Sequence, residues 1–170
     1  MRKIIFVTGG QRSGKSAFAQ SLAESLSSCP TYLATARHWD ADFEKRIQLH
    51  QEARGDSWET LEEEKHLSRH NLSDKVVLLD CVTLWLTNIY HDNDYKMQPS
   101  LTEAKEEWNK FIAQDFILIV VSNEIGMGMH AMDESTRHFA DMHGWINQHI
   151  ASSADEVYLT VSGIPVKIKG

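Results

Sequence analysis

The apolar residues of this chain are concentrated in five short, mostly continuous runs. Strands that are buried on both faces of a parallel sheet have this pattern, because helices cover both sides of such a sheet. A shorter strand is also expected to end near Glu62, after a charged helical segment. The five main predicted strands are residues 3–8, 31–34, 76–80, 116–122 and 157–161.

The stretches between these runs have the spacing of amphipathic helices. Helices are predicted over residues 16–27, 40–54 and 100–113, and Ser100 and Glu103 in the last of these have the spacing of a capping box. Strands that alternate with helices predict an α/β fold with a mostly parallel sheet flanked by helices. A later helix is predicted from a core-facing stripe made of Phe139, Met142, His143, Ile146 and Ile150.

Length and composition narrow the class of protein. The chain has 170 residues and no Pro-, Gly- or Ser-rich linker, so we expect a single domain over residues 1–170. Its net charge of −7 lacks the bulk attraction to phosphate on which nucleic-acid binders depend, so no nucleic-acid partner is expected. Cys29 and Cys81 are too few for a disulfide framework, and no apolar run suffices for a membrane span or a signal peptide. The expected location is the cytoplasm.

The strongest motif is GGQRSGKS, residues 9–16, which follows the first predicted strand and opens the first predicted helix. It fits the P-loop pattern G-x-x-x-x-G-K-[ST], in which glycines let backbone N–H groups surround phosphate oxygens at a helix N-terminus. Lys15 is expected to contact the β and γ phosphates, and the Ser16 hydroxyl is expected to bind Mg²⁺. The alternative is a chance glycine-rich turn, and the motif alone indicates no particular reaction. The candidate phosphate-binding residues are Gly9, Gly10, Gln11, Arg12, Ser13, Gly14, Lys15 and Ser16.

A second motif, VVLLD at residues 76–80, is expected to place Asp80 at the carboxyl end of a buried strand. In a P-loop protein, a Walker-B acid at this place orients the metal ion. The alternative is that Asp80 only caps the helix that follows. The presence of a P-loop favours the metal role.

One histidine in the charged segment indicates a different chemistry. On the predicted helix, Phe43, Ile47, His50 and Arg54 form one stripe, and Arg46 lies one turn before His50. Neutral imidazole is a good nucleophile, and two nearby cations disfavour its protonated form while attracting a nucleoside triphosphate. The alternative is a solvated amphipathic helix whose arginines pair with neighbouring glutamates. Spacing alone favours this alternative.

Several segments together identify a family. The segments are TGGQRSGKS, YLATA, RIQLH, WETLE, VLLDCVTLW with Asn88, SNEIGMG, RHFAD with Gly144, Asn147 and Gln148, and ADEVYLTVSGIPVKIKG. The P-loop is shared with many enzymes, whereas R-I-x-x-H and N-E-x-G-x-G in this order are far more specific. Over essentially the whole chain, the sequence resembles the bifunctional adenosylcobinamide kinase / adenosylcobinamide-phosphate guanylyltransferase family of cobalamin biosynthesis. That resemblance implies a RecA-like P-loop fold and a homotrimer with active sites between subunits.

The resemblance also implies roles for individual residues. It implies that His50 is guanylylated by GTP, which reverses the interpretation drawn from spacing. Glu62 would hydrogen-bond N1 and N2 of guanine, although a solvated acid at a strand end is the alternative. Besides the P-loop, the implied GTP contacts are Ala34, Thr35, Ala36, Gln51, Glu52, Ala53, Arg54, Glu62 and Asp80.

Two reactions follow from the resemblance. The first transfers the γ-phosphoryl group of ATP or GTP, with Mg²⁺, to a hydroxyl of adenosylcobinamide. In the second, His50 attacks the α-phosphorus of GTP, releases pyrophosphate and passes GMP to adenosylcobinamide phosphate. Two other interpretations stay open, a small-molecule P-loop kinase with one function and a non-catalytic RecA-type nucleotide-binding module. Labelled GTP separates the first of these from the bifunctional enzyme.

Two loops depart from the family pattern, and a third follows a predicted strand and has two possible roles. Residues 54–58 read RGDSW where many relatives have an arginine-proline pair, and residues 131–133 replace a P-E-N stretch. The loop SNEIGMG, residues 122–128, follows a predicted buried strand. Asn123 and Glu124 in this loop are expected either to reach substrate or to form a structural turn.

Overall fold

The computed structural model describes residues 2–37, 57–128 and 130–170. The predicted helix over residues 40–54 lies outside the described residues, so His50, Gln51, Glu52, Ala53 and Arg54 do too. The described strands are β1 (Lys3–Gly9), β2 (Thr31–Ala34), β3 (Glu59–Glu62), β4 (Val76–Asp80), β5 (Ile117–Val121), β6 (Glu156–Val161) and β7 (Ile164–Lys169). The described helices are α1 (Lys15–Leu26), α2 (Val82–Asp92), α3 (Met97–Phe111) and α4 (Glu134–Ser153).

The strands form a seven-stranded sheet in the order β3-β2-β4-β5-β1-β6-β7. Every neighbouring pair is parallel except β6 and β7, which are antiparallel. In this order β5 separates β1, which leads into the P-loop, from β4, which ends in Asp80. The predicted α/β class, with a P-loop and a mostly parallel sheet flanked by helices, is confirmed.

Alternate residues of the central strands enter two separate cores, which explains why the strands are apolar throughout. Ile4 and Phe6 of β1 belong to the larger core, to which α2, α3 and α4 contribute. Ile5 and Val7 of the same strand belong to the smaller core, to which α1 contributes. Because successive side chains of a strand point to opposite faces, both faces of β1 must be apolar.

The β6–β7 hairpin is an element that the sequence pattern did not predict. Its turn consists of Ser162 and Gly163, with φ angles of 50° and 83°. Two residues with positive φ form a turn whose twist suits antiparallel strands. β7 is exposed along its whole length, so it lacks the apolar run that marks the other strands. In the sequence, the Ser162-Gly163 pair is typical of a turn and is the local indication of this hairpin.

Helix α4 begins with a side-chain cap, whereas helix α3 does not. The predicted capping box is wrong, because α3 already begins at Met97 and the Ser100 hydroxyl donates to the carbonyl of Lys96 at 2.7 Å. Pro99 is tolerated in this first turn, where a backbone N–H has no intrahelical partner. By contrast, Asp133 caps α4 by accepting a hydrogen bond from the Thr136 N–H at 2.8 Å. Across the described parts of the chain, no helix is both long and apolar enough to span a membrane.

Candidate active site

The P-loop joins β1 to α1 and is shaped by two close backbone approaches. A Cβ atom at Gly9 would lie 2.5 Å from the carbonyl oxygen of Thr160 and 2.8 Å from Ser13 Oγ. Gly14 has a φ of 93°, and a Cβ atom there would lie 3.0 Å from the Cα atom of Gly163. The Gly163 N–H also donates to the carbonyl of Ser13 at 2.8 Å. The loop therefore requires glycine at both positions, and the β6–β7 turn supports it from one side.

The Lys15 side chain lies against the P-loop. Its ammonium group donates to the carbonyl of Gly10 at 2.6 Å, and the residue is 7% exposed. Burial lowers the pKa of Lys15, while Cys81 and Asp80 act in the opposite direction. Loss of hydration raises the pKa of the Cys81 thiol to about 12, so this thiol is uncharged at neutral pH. Asp80 is therefore the negative group that stabilises the Lys15 cation.

Asp80 is at the end of β4, as predicted, and it does not cap the next helix. Its Oδ2 atom accepts a hydrogen bond from the Tyr32 hydroxyl at 2.9 Å. The N-cap of α2 is Cys81, which makes no side-chain capping hydrogen bond. The interpretation of Asp80 as a helix cap is therefore wrong. Its carboxylate stays at the edge of the sheet, on the side of the P-loop lysine.

Strand register brings three predicted nucleotide contacts to the same edge of the sheet. Ala34 at the end of β2 pairs with Glu62 on one side and with Asp80 on the other. Asp80 pairs in turn with Val121 of β5, which also pairs with Val7, two residues before the P-loop. The carboxyl ends of parallel strands are the usual place for ligands in open α/β sheets.

The turn after β2, residues 34–36, is held by side chains from elsewhere in the chain. The Thr35 hydroxyl donates to the carbonyl of Cys81 at 2.8 Å, and Thr35 is fully buried. Asn88 of α2 donates from its Nδ2 atom to the carbonyls of Thr35 at 2.8 Å and Glu64 at 3.0 Å. Asn88 thus links this turn to the segment after β3. The sequence showed Asn88 only as a match to a family, without this supporting role.

A second polar cluster occupies the edge between β5 and β1. Glu124 Oε1 accepts from the Thr8 hydroxyl at 2.6 Å and from Asn147 Nδ2 at 3.4 Å. The Ser122 hydroxyl donates to Asn147 Oδ1 at 2.7 Å. The Glu124 N–H donates to the carbonyl of Gly9 at 3.0 Å. These contacts connect the loop over residues 122–128 directly to the start of the P-loop.

The cluster continues away from the P-loop through neutral groups. Asn123 Nδ2 donates to the Thr83 hydroxyl at 2.9 Å, and Thr83 Oγ1 lies 2.9 Å from His143 Nε2. Burial lowers the pKa of His143 to about 4, so its imidazole is neutral at physiological pH. His143, predicted as a core residue of a helix stripe, is indeed buried in α4.

The site fits Mg²⁺ that arrives with a nucleotide. Ser16 lies in the first turn of α1, and Asp80 lies at the neighbouring sheet edge. In the part of the chain that is described, no group of three or more His, Cys, Asp or Glu side chains could hold a metal ion by itself. Mg²⁺ commonly binds through one or two carboxylates together with substrate phosphates and water. One hydroxyl and one carboxylate beside a phosphate loop are such a donor set.

A match to a known family agrees with this arrangement. The family model described as "Cobinamide kinase / cobinamide phosphate guanyltransferase" (CobU) matches residues 5–168. The chain belongs to this family. The resemblance drawn from its motifs is therefore confirmed, and so is the expected class of enzyme, a cobinamide kinase and cobinamide phosphate guanylyltransferase.

Similar proteins from three bacteria have the same description. The bifunctional adenosylcobalamin biosynthesis protein CobU of Escherichia coli is 38% identical, and the match covers 98% of this chain and 99% of that protein. The bifunctional adenosylcobalamin biosynthesis protein CobP of Pseudomonas aeruginosa is 37% identical over 100% of this chain and 98% of that protein. CobU of Salmonella typhimurium is 34% identical, with 98% and 99% covered. These family members align with the chain from end to end.

Solved structures show a looser similarity. The flagellar accessory protein FlaH from Methanocaldococcus jannaschii has a TM-score of 0.47 and 13% identity, covering 98% of this chain and 78% of that one. A second solved structure, described as an ATPase domain, has a TM-score of 0.45 and 13% identity, covering 93% of this chain and 69% of that one. Because both scores are low, the fold assignment depends on the sheet order and the P-loop.

Proposed function

We propose that this chain is a bifunctional enzyme of cobalamin biosynthesis that acts as a single catalytic domain over residues 1–170. It phosphorylates adenosylcobinamide with ATP or GTP, and then transfers GMP from GTP to adenosylcobinamide phosphate to give adenosylcobinamide-GDP. The proposal is supported above all by the family match, which extends over nearly the whole chain. In agreement with it, the P-loop residue Lys15 and Asp80 lie at one edge of the sheet. The cytoplasm, where thiols stay reduced, is the proposed location.

In the kinase reaction, the P-loop holds the phosphates of the donor nucleotide. Backbone N–H groups of residues 9–16 and the start of α1 favour the negative charge, and Lys15 exchanges its contact with the Gly10 carbonyl for phosphate oxygens. Ser16 and Asp80 would hold Mg²⁺. When bound, this ion neutralises charge on the β and γ phosphates. Asp80 is kept in place by the Tyr32 hydroxyl.

In the guanylyltransferase reaction, His50 is the proposed nucleophile. A ring nitrogen forms a bond to the α-phosphorus of GTP, and the bond from this phosphorus to the pyrophosphate oxygen breaks. Residues 34–36, Glu62 and the segment 51–54 are the proposed contacts of GTP around this step. Glu62 is exposed at the end of β3 and makes no hydrogen bond or ion pair with the described residues, so it is available to guanine.

The proposal includes a homotrimer, following the resemblance to the family. Four apolar side chains on the β6–β7 hairpin support an interface there, because they are largely exposed in the single chain. They are Val161, Ile164, Val166 and Ile168. The turn of this hairpin contacts the P-loop, so a subunit packed on it would lie beside the nucleotide.

Labelling with GTP radioactive at the α-phosphate tests the proposal. The wild-type protein should form an acid-labile, hydroxylamine-stable GMP adduct, and His50→Asn should abolish it because a phosphoramidate requires the ring nitrogen. Phosphorylation of adenosylcobinamide should largely survive in His50→Asn, because γ-phosphoryl transfer depends on the P-loop. His66→Asn, at an exposed position after β3, is the matched control and should keep both activities.

Each other outcome has a definite meaning. An adduct that persists in His50→Asn would place the nucleophile elsewhere. Equal loss of both activities in that variant would make His50 a shared binding or structural residue. A wild-type protein that phosphorylates adenosylcobinamide but never forms the adduct would be a kinase with one function.

A further inference from the structure

The loop after β5 brings a carboxylate next to the phosphate-binding loop. The Ser122 N–H donates to the carbonyl of Val7 at 3.0 Å, which extends the parallel pairing of β5 with β1. The Glu124 N–H then donates to the carbonyl of Gly9 at 3.0 Å. The backbone of Glu124 is therefore fixed to the first residue of the P-loop.

The Glu124 side chain is held by only one of its two oxygens. Oε1 accepts from the Thr8 hydroxyl at 2.6 Å and from Asn147 Nδ2 at 3.4 Å. Asn147 is positioned by the Ser122 hydroxyl and by its own hydrogen bond to the carbonyl of Asn123 at 3.0 Å. Within residues 2–37, 57–128 and 130–170, no cation pairs with Glu124 and its Oε2 atom has no partner.

This arrangement suits a group that accepts a proton. A carboxylate whose first oxygen is fixed by two donors has a defined orientation, while the lone pairs of the second oxygen stay available. Glu124 is half-buried and its Oε2 atom is not enclosed by the described residues, so this oxygen is accessible to a hydroxyl group that binds at the edge of the sheet. The position beside Gly9 puts the carboxylate next to the loop that holds the γ-phosphate of the donor.

Three other ionisable groups on the described part of this edge are less suited to accepting the proton. Asp80 accepts from Tyr32 and faces Lys15, which fits a metal ligand. His143 is buried, and its Nε2 atom is engaged with the Thr83 hydroxyl. Glu62 ends β3, and the sheet order places three strands between it and β1.

We propose that Glu124 is the general base of the kinase reaction, with Thr8 and Asn147 as residues that position it. The inference depends on the proposed kinase activity. The proton of the acceptor hydroxyl moves to Glu124 Oε2, and the acceptor oxygen forms a bond to the γ-phosphorus. The bond from this phosphorus to the β–γ bridging oxygen breaks, and the nucleoside diphosphate leaves with that electron pair.

Glu124→Gln tests the assignment with adenosylcobinamide and ATP as substrates. The amide keeps the shape of the side chain but cannot accept the proton, so the kcat of phosphorylation should fall by roughly 10²- to 10⁴-fold. The KM for ATP and the Mg²⁺ concentration at half-maximal rate should stay close to the wild-type values. Glu106→Gln makes the same chemical change at an exposed position of α3 and should leave all three quantities unchanged.

A second variant separates the base from a structural role. Glu124→Asp keeps a carboxylate that is one methylene shorter, so its kcat should lie between those of wild type and Glu124→Gln. A Glu124→Gln enzyme within about threefold of the wild-type kcat would overturn the assignment, since general-base catalysis typically contributes about 10²- to 10⁴-fold. Recovery of its rate by added Mg²⁺ would overturn it too, in favour of a metal ligand, as would an aspartate variant slower than the glutamine variant.

The wild-type enzyme separates this inference from the proposed function. If the wild-type enzyme does not phosphorylate adenosylcobinamide at all, both the proposed kinase activity and the proposed role of Glu124 are refuted. If wild type is active and Glu124→Gln is equally active, only the role of Glu124 fails.

Discussion

Asn88 gives the sharpest test of how the nucleotide edge is held together. Its side chain is fully buried in α2, and its Nδ2 atom donates to the carbonyls of Thr35 and Glu64. Asn88→Ala leaves both acceptors without this donor, and each such loss costs about 1 to 3 kcal/mol. Asn88 Oδ1 is buried without a partner among the described residues, so its removal offsets part of this cost, and the free energy of unfolding should fall by about 2 to 5 kcal/mol. For a chain of this length, the melting temperature should fall by roughly 5 to 20 °C.

Urea and thermal denaturation of wild type and variants measure the effect, and calorimetry measures GTP affinity. Asn88→Asp should be at least as destabilising as Asn88→Ala, because its carboxylate would face two carbonyl oxygens without donating to either. GTP affinity should fall in both variants, since the turn at residues 34–36 loses its support. The control is Gln98→Ala, which removes an amide at an exposed position of α3 and should change stability by less than about 0.5 kcal/mol.

The reasoning about Asn88 would be refuted by either of two results. A loss of less than about 1 kcal/mol in Asn88→Ala would mean that the two carbonyls find other donors at little cost. An aspartate variant more stable than the alanine variant would mean that the donor hydrogens are not what matters at this position.

Two further predictions concern the nucleotide contacts. Lys15→Ala removes the cation that faces the β and γ phosphates, so kinase turnover at saturating ATP should fall roughly 10²- to 10³-fold, and near-normal turnover would contradict its role. Glu62→Gln replaces an acceptor with an amide, so steady-state kinetics should show a larger loss for GTP in guanylyl transfer than for ATP in phosphoryl transfer. Equal losses in both reactions would assign Glu62 to support of the fold.

The sequence predicted the central strands and the P-loop well because their causes are local. Residues 31–34 and 76–80 are strands with the predicted bounds, since an apolar run of four or five residues is too short for a typical helix and suits a strand that is buried on both faces. The glycines of the P-loop follow from backbone sterics within one turn of chain. The predicted start of α3 was wrong. Ser100 and Glu103 have the spacing of a capping box, but the helix already begins at Met97, because Pro99 fits the first turn of a helix, where a missing backbone N–H costs nothing.

The candidate site could be predicted in part. Motif and family resemblance pointed to the P-loop, Asp80 and residues 34–36, and the structure brings the ends of β2, β3 and β4 to one edge. No local pattern could show that Asn88 holds the turn after β2. Its two acceptors are 53 and 24 residues away in the chain, so the contact exists only once the sheet and α2 have packed.

By itself, therefore, the sequence determined the α/β class, the phosphate loop, the acid at the end of β4 and the family. These depend on side-chain periodicity, on glycine sterics and on the order of short motifs, all of which are properties of neighbouring residues. Only the tertiary structure decided that Asp80 accepts from Tyr32 and that Glu124 binds Thr8 across 116 residues of chain. The reason is physical: hydrogen-bond partners this distant are chosen by strand order and register, which form only when the whole sheet packs on its helices.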